Sequence, residues 1–356
     1  MRGLRRVDHS DWLRILTEMG WAVDSITASE VIRAQAQVRV DRLRLAARMS
    51  SVPSSIIAKT VPSRGESTPW AAARPGHAEA ALHRSLSAKG APLARLYWAG
   101  EIGGERYAMV FEDLAASAEL FDHQHVWSAE DLLAVVDAAA ELHAAGLRIG
   151  ESALALDHPY LTDSPLGYVD SDWIRGIAPR ANEHPLNCQD SSVSGVLLEL
   201  ADRYDAWLRR LRPWQTTVHG DIFWGNVAVA HEEGGRSRAR LLDLGSAVLG
   251  PPQYDIEYLT QRGWDTAADW DSMRRHHRER LLQLVPQLAG DGALWRWGYR
   301  VALVQLMLWW HWIAIGILDR GDLASEREKQ WVTRGSPLNP EFISMCRLAL
   351  DEEPPV

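Results

Sequence analysis

Lysine is almost missing from this chain. Of its 38 basic residues only Lys59, Lys89 and Lys329 are lysine, and the rest are arginine. A compact ammonium and a planar guanidinium are not interchangeable, so a lysine inside an apolar strand asks for a reason. Cysteine is also scarce. Cys188 and Cys346 stand far apart without neighbouring ligand spacing, which excludes a disulfide framework and a zinc site. Glycine is missing between Gly20 and Gly65, so that stretch has no glycine-rich turn. An apolar leader is missing too: Met1–Arg6 is basic, but Asp8, His9, Ser10 and Asp11 follow it. No signal peptide is expected, and a cytoplasmic location is. A net charge of −9 argues against nucleic-acid or anionic-membrane partners and suits a neutral or cationic ligand.

What is present reads as globular. Hydrophobic residues make up 46% and charged residues 24% of 356, enough for two domains with their own cores. Residues 8 to 20 read as a short helix, capped by Ser10 or Asp11 and ended by Gly20, with Trp12, Leu13, Ile15 and Leu16 on its apolar face. Residues 22 to 45 carry strand material whose alternation changes phase between Val40 and Leu43, a bulge or turn signal. Ser54–Pro62 reads as a strand around Lys59, and residues 77 to 90 as a helix bearing Glu79. Pro92–Gly100 and Glu105–Leu114 are strand-like. Near residue 115 the character turns helical, so the domains are 1–114 and 115–356.

In the second domain Ser128 caps a helix with Glu130 and Asp131 in its first turn, and Gly146 is placed at its end. Residues 148 to 193 are polar and rich in proline and glycine, an irregular insertion that faces substrate or acts as a lid. Residues 195–211 and 294–318 read as helices. The apolar run Val301–Leu318 approaches membrane-span length. Gln305 and His311 interrupt it and its flanks are mixed in charge, so a buried bundle helix is expected and no membrane span.

Chemistry concentrates between His219 and Asp243. The stretch reads His219-Gly220-Asp221-Ile222-Phe223-Trp224-Gly225-Asn226, then Val227-Ala228-Val229, a polar hairpin, and Leu241-Leu242-Asp243-Leu244-Gly245. Phosphoryl transfer needs such groups. One carboxylate orients the attacking hydroxyl and takes its proton, while an amide oxygen and a second carboxylate hold Mg²⁺ against the phosphates of a nucleotide. The pattern resembles the protein-kinase catalytic and metal loops, H-R-D-x-x-x-x-N followed by D-F-G. With Gly220 in place of the arginine and Asp243-Leu244-Gly245 as the second loop, it is similar to the aminoglycoside phosphotransferase and choline-kinase superfamily, small-molecule kinases on the protein-kinase fold. The Lys59 strand, Glu79, the hinge-like Glu112-Asp113-Leu114 and Gly250-Pro251-Pro252-Gln253-Tyr254-Asp255 follow in the family's order, over about residues 8 to 260.

The resemblance implies an α+β, bilobal protein-kinase-like fold. Its N-lobe has an antiparallel sheet plus a helix, and its C-lobe is larger and mostly helical. It implies ATP or GTP as co-substrate and Mg²⁺ as cofactor. Asp221 is then the catalytic base, and Asn226 and Asp243 the metal ligands. Lys59 meets the α- and β-phosphates and pairs with Glu79. The Glu112 carbonyl and Leu114 amide read the base. His219 braces the loop, Asp255 is structural, and His143 is a packed or capping histidine. The family's glycine-rich phosphate loop has no counterpart here, which leaves Ser29, Arg33 or Gln35 as candidate phosphate contacts in its place.

The acceptor is a hydroxyl of a small molecule, first of all an antibiotic with a sugar or nucleoside part. Seventeen tryptophans favour a ring-bearing acceptor, and Trp224, Trp309 and Trp310 are the candidate contacts, with core packing as their alternative. Two rival readings stand beside this one: a metabolite kinase of the choline or sugar type, and a non-catalytic, pseudokinase-like binding protein.

Overall fold

The computed structural model describes residues 7–34, 38–63, 67–68, 71–72, 76–103, 105–120, 127–150, 171–183, 192–232, 237–262, 269–290, 292–321 and 340–351. Contacts divide the chain into two compact units. One holds Met1–His125 and Trp224–Ser246, the other Val126–Phe223 and Ala247–Val356.

The first unit opens with α1 (His9–Glu18). Its cap is Asp8, whose carboxylate accepts from the Asp11 amide at 2.9 Å, so the helix starts ahead of the expected Ser10 or Asp11. Trp12, Ile15 and Leu16 are buried from its apolar face. Five strands follow: β1 (Val23–Ala34), β2 (Arg39–Ala47), β3 (Ser55–Pro62), β4 (Leu96–Gly103) and β5 (Arg106–Glu112). They form one antiparallel sheet in the order β1-β2-β3-β5-β4. β2 runs unbroken through Val40 and Leu43, where a phase change was expected. The register slips fall in its pairing with β1, one of them between Val31 and Arg33.

The helix α2 (Gly76–Ala88) lies between β3 and β4 in the chain. Its Ala80 packs on Val61, Tyr107 and Met109 of the sheet. Gly76 starts it where the backbone comes close: an added Cβ would sit 2.5 Å from Val61 Cγ2. After β5, the short β6 (Glu119–Leu120) carries the first unit beyond the expected boundary at 114.

The second unit begins with α3 (Ala129–Ile149). Ser128 and Asp131 form a reciprocal capping box. Gly146 lies inside this helix and does not end it. A Cβ there would collide with Thr216 Oγ1 and come within 2.7 Å of the Thr217 amide. The glycine lets α3 press onto a strand, and Thr216 Oγ1 donates to the His143 carbonyl at 2.7 Å. Part of the stretch expected to be irregular is ordered: α4 (Ser171–Ile177) and a 3-10 turn to Glu183. The Ser171 hydroxyl and amide donate to Asp205 on α5 (Val193–Leu211). Residues 151–170 and 184–191 lie outside the described residues.

After β7 (Thr216–Val218) the chain returns to the first unit for the hairpin β8 (Val227–His231) and β9 (Ser237–Leu241). β8 also pairs with β6, Ala228 opposite Leu120, and Leu241 bridges Leu93. These pairings assign the segment to the first unit. β10 (Val248–Gly250) then pairs with β7. Among the described residues four helices follow in the second unit: α6 (Gln253–Arg262), α7 (Trp270–Leu284), α8 (Gly292–Asp319) and α9 (Pro340–Asp351). α8 contains the long apolar run, and among the described residues no helix is long and apolar enough to cross a membrane. Several tryptophans are core residues. Trp207 meets Trp297 edge-on at 5.5 Å, and Trp214 lies 5.2 Å from Trp295.

Alanine is normally a better helix residue than glycine by about 1 kcal/mol, so Gly146→Ala is a test of this packing. Overpacking costs about 1–3 kcal/mol. The variant is expected to unfold at lower urea concentration than the parent, and a rise in the midpoint would contradict the contact.

Candidate active site

Within the first unit, Lys59, Glu79 and Asp243 come together. Lys59 lies on β3, opposite Val40 and Met109. Its side chain is 6% exposed, flanked by buried Ala58 and Thr60. A buried ammonium is costly unless paired. Lys59 Nζ donates to both Glu79 oxygens, at 2.7 and 2.8 Å, and to Asp243 Oδ1 at 2.7 Å. Burial alone would lower the lysine pKa, but the charges of Asp243 and Glu79 outweigh it and raise it. Glu79 comes from α2 and is buried.

Asp243 follows β9 with φ +62°, a conformation uncommon outside glycine. Its Oδ1 accepts from the Gly245 amide at 3.0 Å. A Cβ on Gly245 would sit 2.9 Å from that same oxygen, so the glycine of this loop is required by close approach. Burial pushes the Asp243 carboxyl up, yet the Lys59 charge and hydrogen bond, the Gly245 amide and Arg33 hold it well below the usual carboxylate range. Arg33 Nη1 is 3.7 Å from Asp243 Oδ2. Asn226 is buried in the turn that leads to β8. Its carbonyl accepts from the Leu242 amide at 2.9 Å, which ties its backbone to the residue before Asp243.

At the end of β5, the Glu112 amide donates to the Arg95 carbonyl at 2.9 Å, and the Arg95 amide returns to Glu112 Oε2 at 3.3 Å. Asp113 caps the 3-10 turn Leu114–Ala116 and accepts from Arg42 Nε at 2.9 Å. Leu114 is buried. Arg42 reaches this hinge from β2, a contact across 71 positions that the sequence reading missed.

Within the second unit, Asp221 follows β7 in a loop anchored from beneath. Asp255, fully buried in the first turn of α6, accepts the His219 amide at 2.7 Å on Oδ2 and the Gly220 amide at 2.8 Å on Oδ1. Gly220 has φ +77°, which allows both amides to face one carboxylate. The Asp221 amide donates to His219 Nδ1 at 3.3 Å. Behind Asp255 runs a buried chain. His143 Nε2 lies 3.0 Å from Asp255 Oδ2, and His143 Nδ1 lies 3.0 Å from His277 Nε2. His277 Nδ1 lies 3.2 Å from Tyr299 Oη, which donates to the Arg274 carbonyl at 2.9 Å. Burial, with His143 and His276 nearby, holds His277 well below its ordinary pKa. His143 is thus a buried link to the loop anchor.

Asp221 itself receives the Tyr258 hydroxyl on Oδ1 at 2.5 Å. Tyr258 is buried, three residues after Asp255 and so on the same side of α6. That spacing is a signal from which the sequence could have suggested it. His277 and Tyr299 have no such signal. The side chains of Trp224, Trp309 and Trp310 lie outside the described residues.

Asp255→Asn replaces one of two accepting oxygens with a donor that faces an amide. Breaking a buried charged cluster costs about 3–5 kcal/mol, and the expected result is a loss of that order in the unfolding free energy from denaturant titration. A change within measurement error would mean that the loop does not depend on this anchor.

The model of the "Phosphotransferase enzyme family" (APH) matches residues 60–297. A search of the curated proteins finds no match. Solved structures that share the fold include a Plasmodium vivax ethanolamine kinase, 12% identical, covering 89% of this chain and 84% of its own, with a TM-score of 0.55. A choline/ethanolamine kinase family protein from Mesorhizobium loti is 14% identical, covering 96% and 99%, with a TM-score of 0.52. The aminoglycoside phosphotransferase APH(2")-IIia, in complex with GDP and kanamycin, is 10% identical, covering 95% and 98%, with a TM-score of 0.55. At these identities they establish an α+β, protein-kinase-like fold. The family model spans well over half of the sequence, and the chain belongs to the phosphotransferase enzyme family, as a kinase-type transferase.

Proposed function

We propose that this protein transfers the γ-phosphate of ATP or GTP to a hydroxyl of a small molecule. The observation that carries the reading is the buried Lys59 bonded at once to Glu79 and Asp243. A lysine held this way presents a fixed positive charge to phosphates. Lys59 contacts the α- and β-phosphates and Glu79 holds it in place. The Glu112 carbonyl and Leu114 amide take the base.

Asp243 and Asn226 offer oxygen donors of the kind Mg²⁺ prefers. Among the described residues no group of three or more His, Cys, Asp or Glu is arranged as a metal cage. That fits an ion which binds through one or two protein oxygens with water and phosphate completing its shell. Asp243 is ionised at neutral pH, as a ligand must be. Bound there, Mg²⁺ supplies charge neutralisation to the phosphate oxygens.

Asp221 orients the acceptor hydroxyl and takes its proton late, because a loose transition state asks little base strength. The Tyr258 hydroxyl on Oδ1 supports this role. It fixes the carboxylate plane.

The first acceptor class is an antibiotic with a sugar or nucleoside part, and the protein is then a resistance or self-protection enzyme of the cytoplasm. The similarity to a kanamycin-bound phosphotransferase supports it. The equal similarity to an ethanolamine kinase supports the second reading, a metabolite kinase of the choline or sugar type. A screen of antibiotics, amino alcohols and sugars with γ-labelled ATP and GTP, read by mass spectrometry, separates the two.

Asp221→Ala is expected to lower turnover on the acceptor so found by about 10²–10⁴-fold, with ADP affinity retained. Turnover near that of the parent would remove Asp221 from the role. Stabilisation by ATP or GTP in a thermal-shift assay is expected to depend on Mg²⁺. A complete lack of nucleotide response would favour a pseudokinase-like binding protein.

A further inference from the structure

The sheet of the first unit has two unlike faces. Residues directly opposite one another on neighbouring strands point to the same side, and side chains alternate along each strand. One side carries Leu43, Ile56, Ala58 and Val110, buried in one core with Trp12, Ile15 and Leu16 of α1. The other side carries Lys59. Two residues before it comes Ile57, which stands opposite Arg42 on β2 and Phe111 on β5. Arg42 therefore shares a face with Lys59, in a row that continues through Ile57 and Phe111. A cation beside two apolar neighbours needs a partner.

Arg42 has two, and they differ in kind. Its Nη1 donates to Glu30 Oε2 at 3.0 Å, but the Glu30 side chain is 62% exposed, so this pair contributes little to stability. Its Nε donates to Asp113 Oδ2 at 2.9 Å, and the Asp113 side chain is 3% exposed. The other oxygen of Asp113 accepts the Ala115 amide at 3.1 Å. One enclosed carboxylate thus joins β2 to the turn Leu114–Ala116.

Capping does not require this enclosure. Asp8 caps α1 from an exposed position with one oxygen. Stability does not require it either, since apolar residues of similar volume often replace an enclosed ion pair without loss. What the pair adds is a fixed place for the turn on the sheet. Asp113 stands between Glu112 and Leu114, the residues whose main-chain groups take the base in the proposed function. Whatever fixes Asp113 fixes the spacing of those two groups.

We propose that Arg42 is a positioning residue for base recognition: through Asp113 it holds the hinge turn so that the Glu112 carbonyl and the Leu114 amide meet the nucleobase together. This rests on the reading of Glu112 and Leu114 as the base contacts. The part of the ligand concerned is the base. The contribution of Arg42 is therefore the same for a nucleoside monophosphate and a triphosphate, and absent for a bare phosphate chain.

The test is isothermal titration of the full chain with ATP, AMP and inorganic tripolyphosphate, each with Mg²⁺, and with GTP and GMP in parallel. The parent is compared with Arg42→Ala, Arg42→Lys, Asp113→Asn, the double variant of Arg42→Ala with Asp113→Asn, and Lys59→Met as the reference. Arg42→Lys keeps the charge and loses the Nε donor, which guards against a loss of fold in Arg42→Ala. In the better-bound nucleotide series, Arg42→Ala is expected to weaken the tri- and monophosphate by the same factor, about 10-fold. Arg42→Lys is expected to weaken them less, and tripolyphosphate is expected to bind as to the parent. The double variant is expected to add little to either single change, as for groups that act through one another. Unchanged nucleotide affinity in both Arg42 variants would overturn the proposal. So would a loss of tripolyphosphate affinity equal to that of the nucleotide, which would signal a general disturbance of the sheet. In both cases weaker nucleotide binding by Lys59→Met would leave the nucleotide site standing. If no nucleotide binds the parent, or tripolyphosphate binds it as tightly as the triphosphates, the hinge does not read a base, and the underlying reading fails with this inference.

Discussion

A single buried cation organises the first unit. Lys59 joins a strand, a helix and a loop that lie 20 and 184 positions away from it in the chain. Burying a charge in such a place is costly, and a hydrophobic replacement of similar volume is often as stable. Stability therefore does not explain why lysine is kept. The composition sharpens the point. This chain uses arginine almost everywhere, yet here it has a compact ammonium, with three donors that Glu79 and Asp243 take up. A guanidinium is planar and spreads its donors in a fork, which does not match that compact three-way pairing.

The two units hold their acids in opposite ways, and the difference sorts structure from chemistry. Asp255 is wholly buried, with both oxygens on backbone amides and an imidazole behind. Such a carboxylate has no access to a reactant and serves as an anchor. Asp243 is partly exposed and shares its charge among Lys59, Arg33 and an amide. Asp221 is also partly exposed, with a tyrosine hydroxyl on one oxygen. An acid that meets solvent while fixed by neighbours can exchange a partner for a ligand. A walled-in carboxylate and one open to solvent are thus told apart by burial and by donor type, a distinction that the letter D in a motif does not carry.

That same distinction marks how far the sequence could be read. Lys59 was legible through its rarity, and the stretch from Asp221 to Asp243 is local in the chain, so its loop and hairpin were legible too. Glu79 was legible because the helix after a strand tends to face it. His277, Tyr299 and Arg42 were not. Each acts on a partner supplied by another element, and ordinary helix and strand positions look the same whether or not such a partner exists. Gly146 was misread for a physical reason. Glycine marks a helix end and a close packing contact alike, and only the position of Thr216 and Thr217 separates the two. The cap of α1 was ambiguous because Asp8, Ser10 and Asp11 are all competent, and the hydrogen bond decides. Tryptophan count pointed to a ring-bearing acceptor, yet Trp12, Trp207, Trp214, Trp295 and Trp297 are buried. Abundance of a residue that packs well is weak evidence for what it binds.

Glycine use follows one rule in both units. Gly220 turns two amides onto one carboxylate, and Gly245 leaves room for an acid's own oxygen. In both places the backbone is the functional group, and a side chain would obstruct it. Between Gly20 and Gly65 the chain has no glycine at all. The register slip at Ile32 turns a side chain towards Asp243 instead. A backbone cradle is rigid and loses little entropy on binding, whereas an arginine must be ordered each time. An anion site built on side chains therefore needs neighbours that are already fixed.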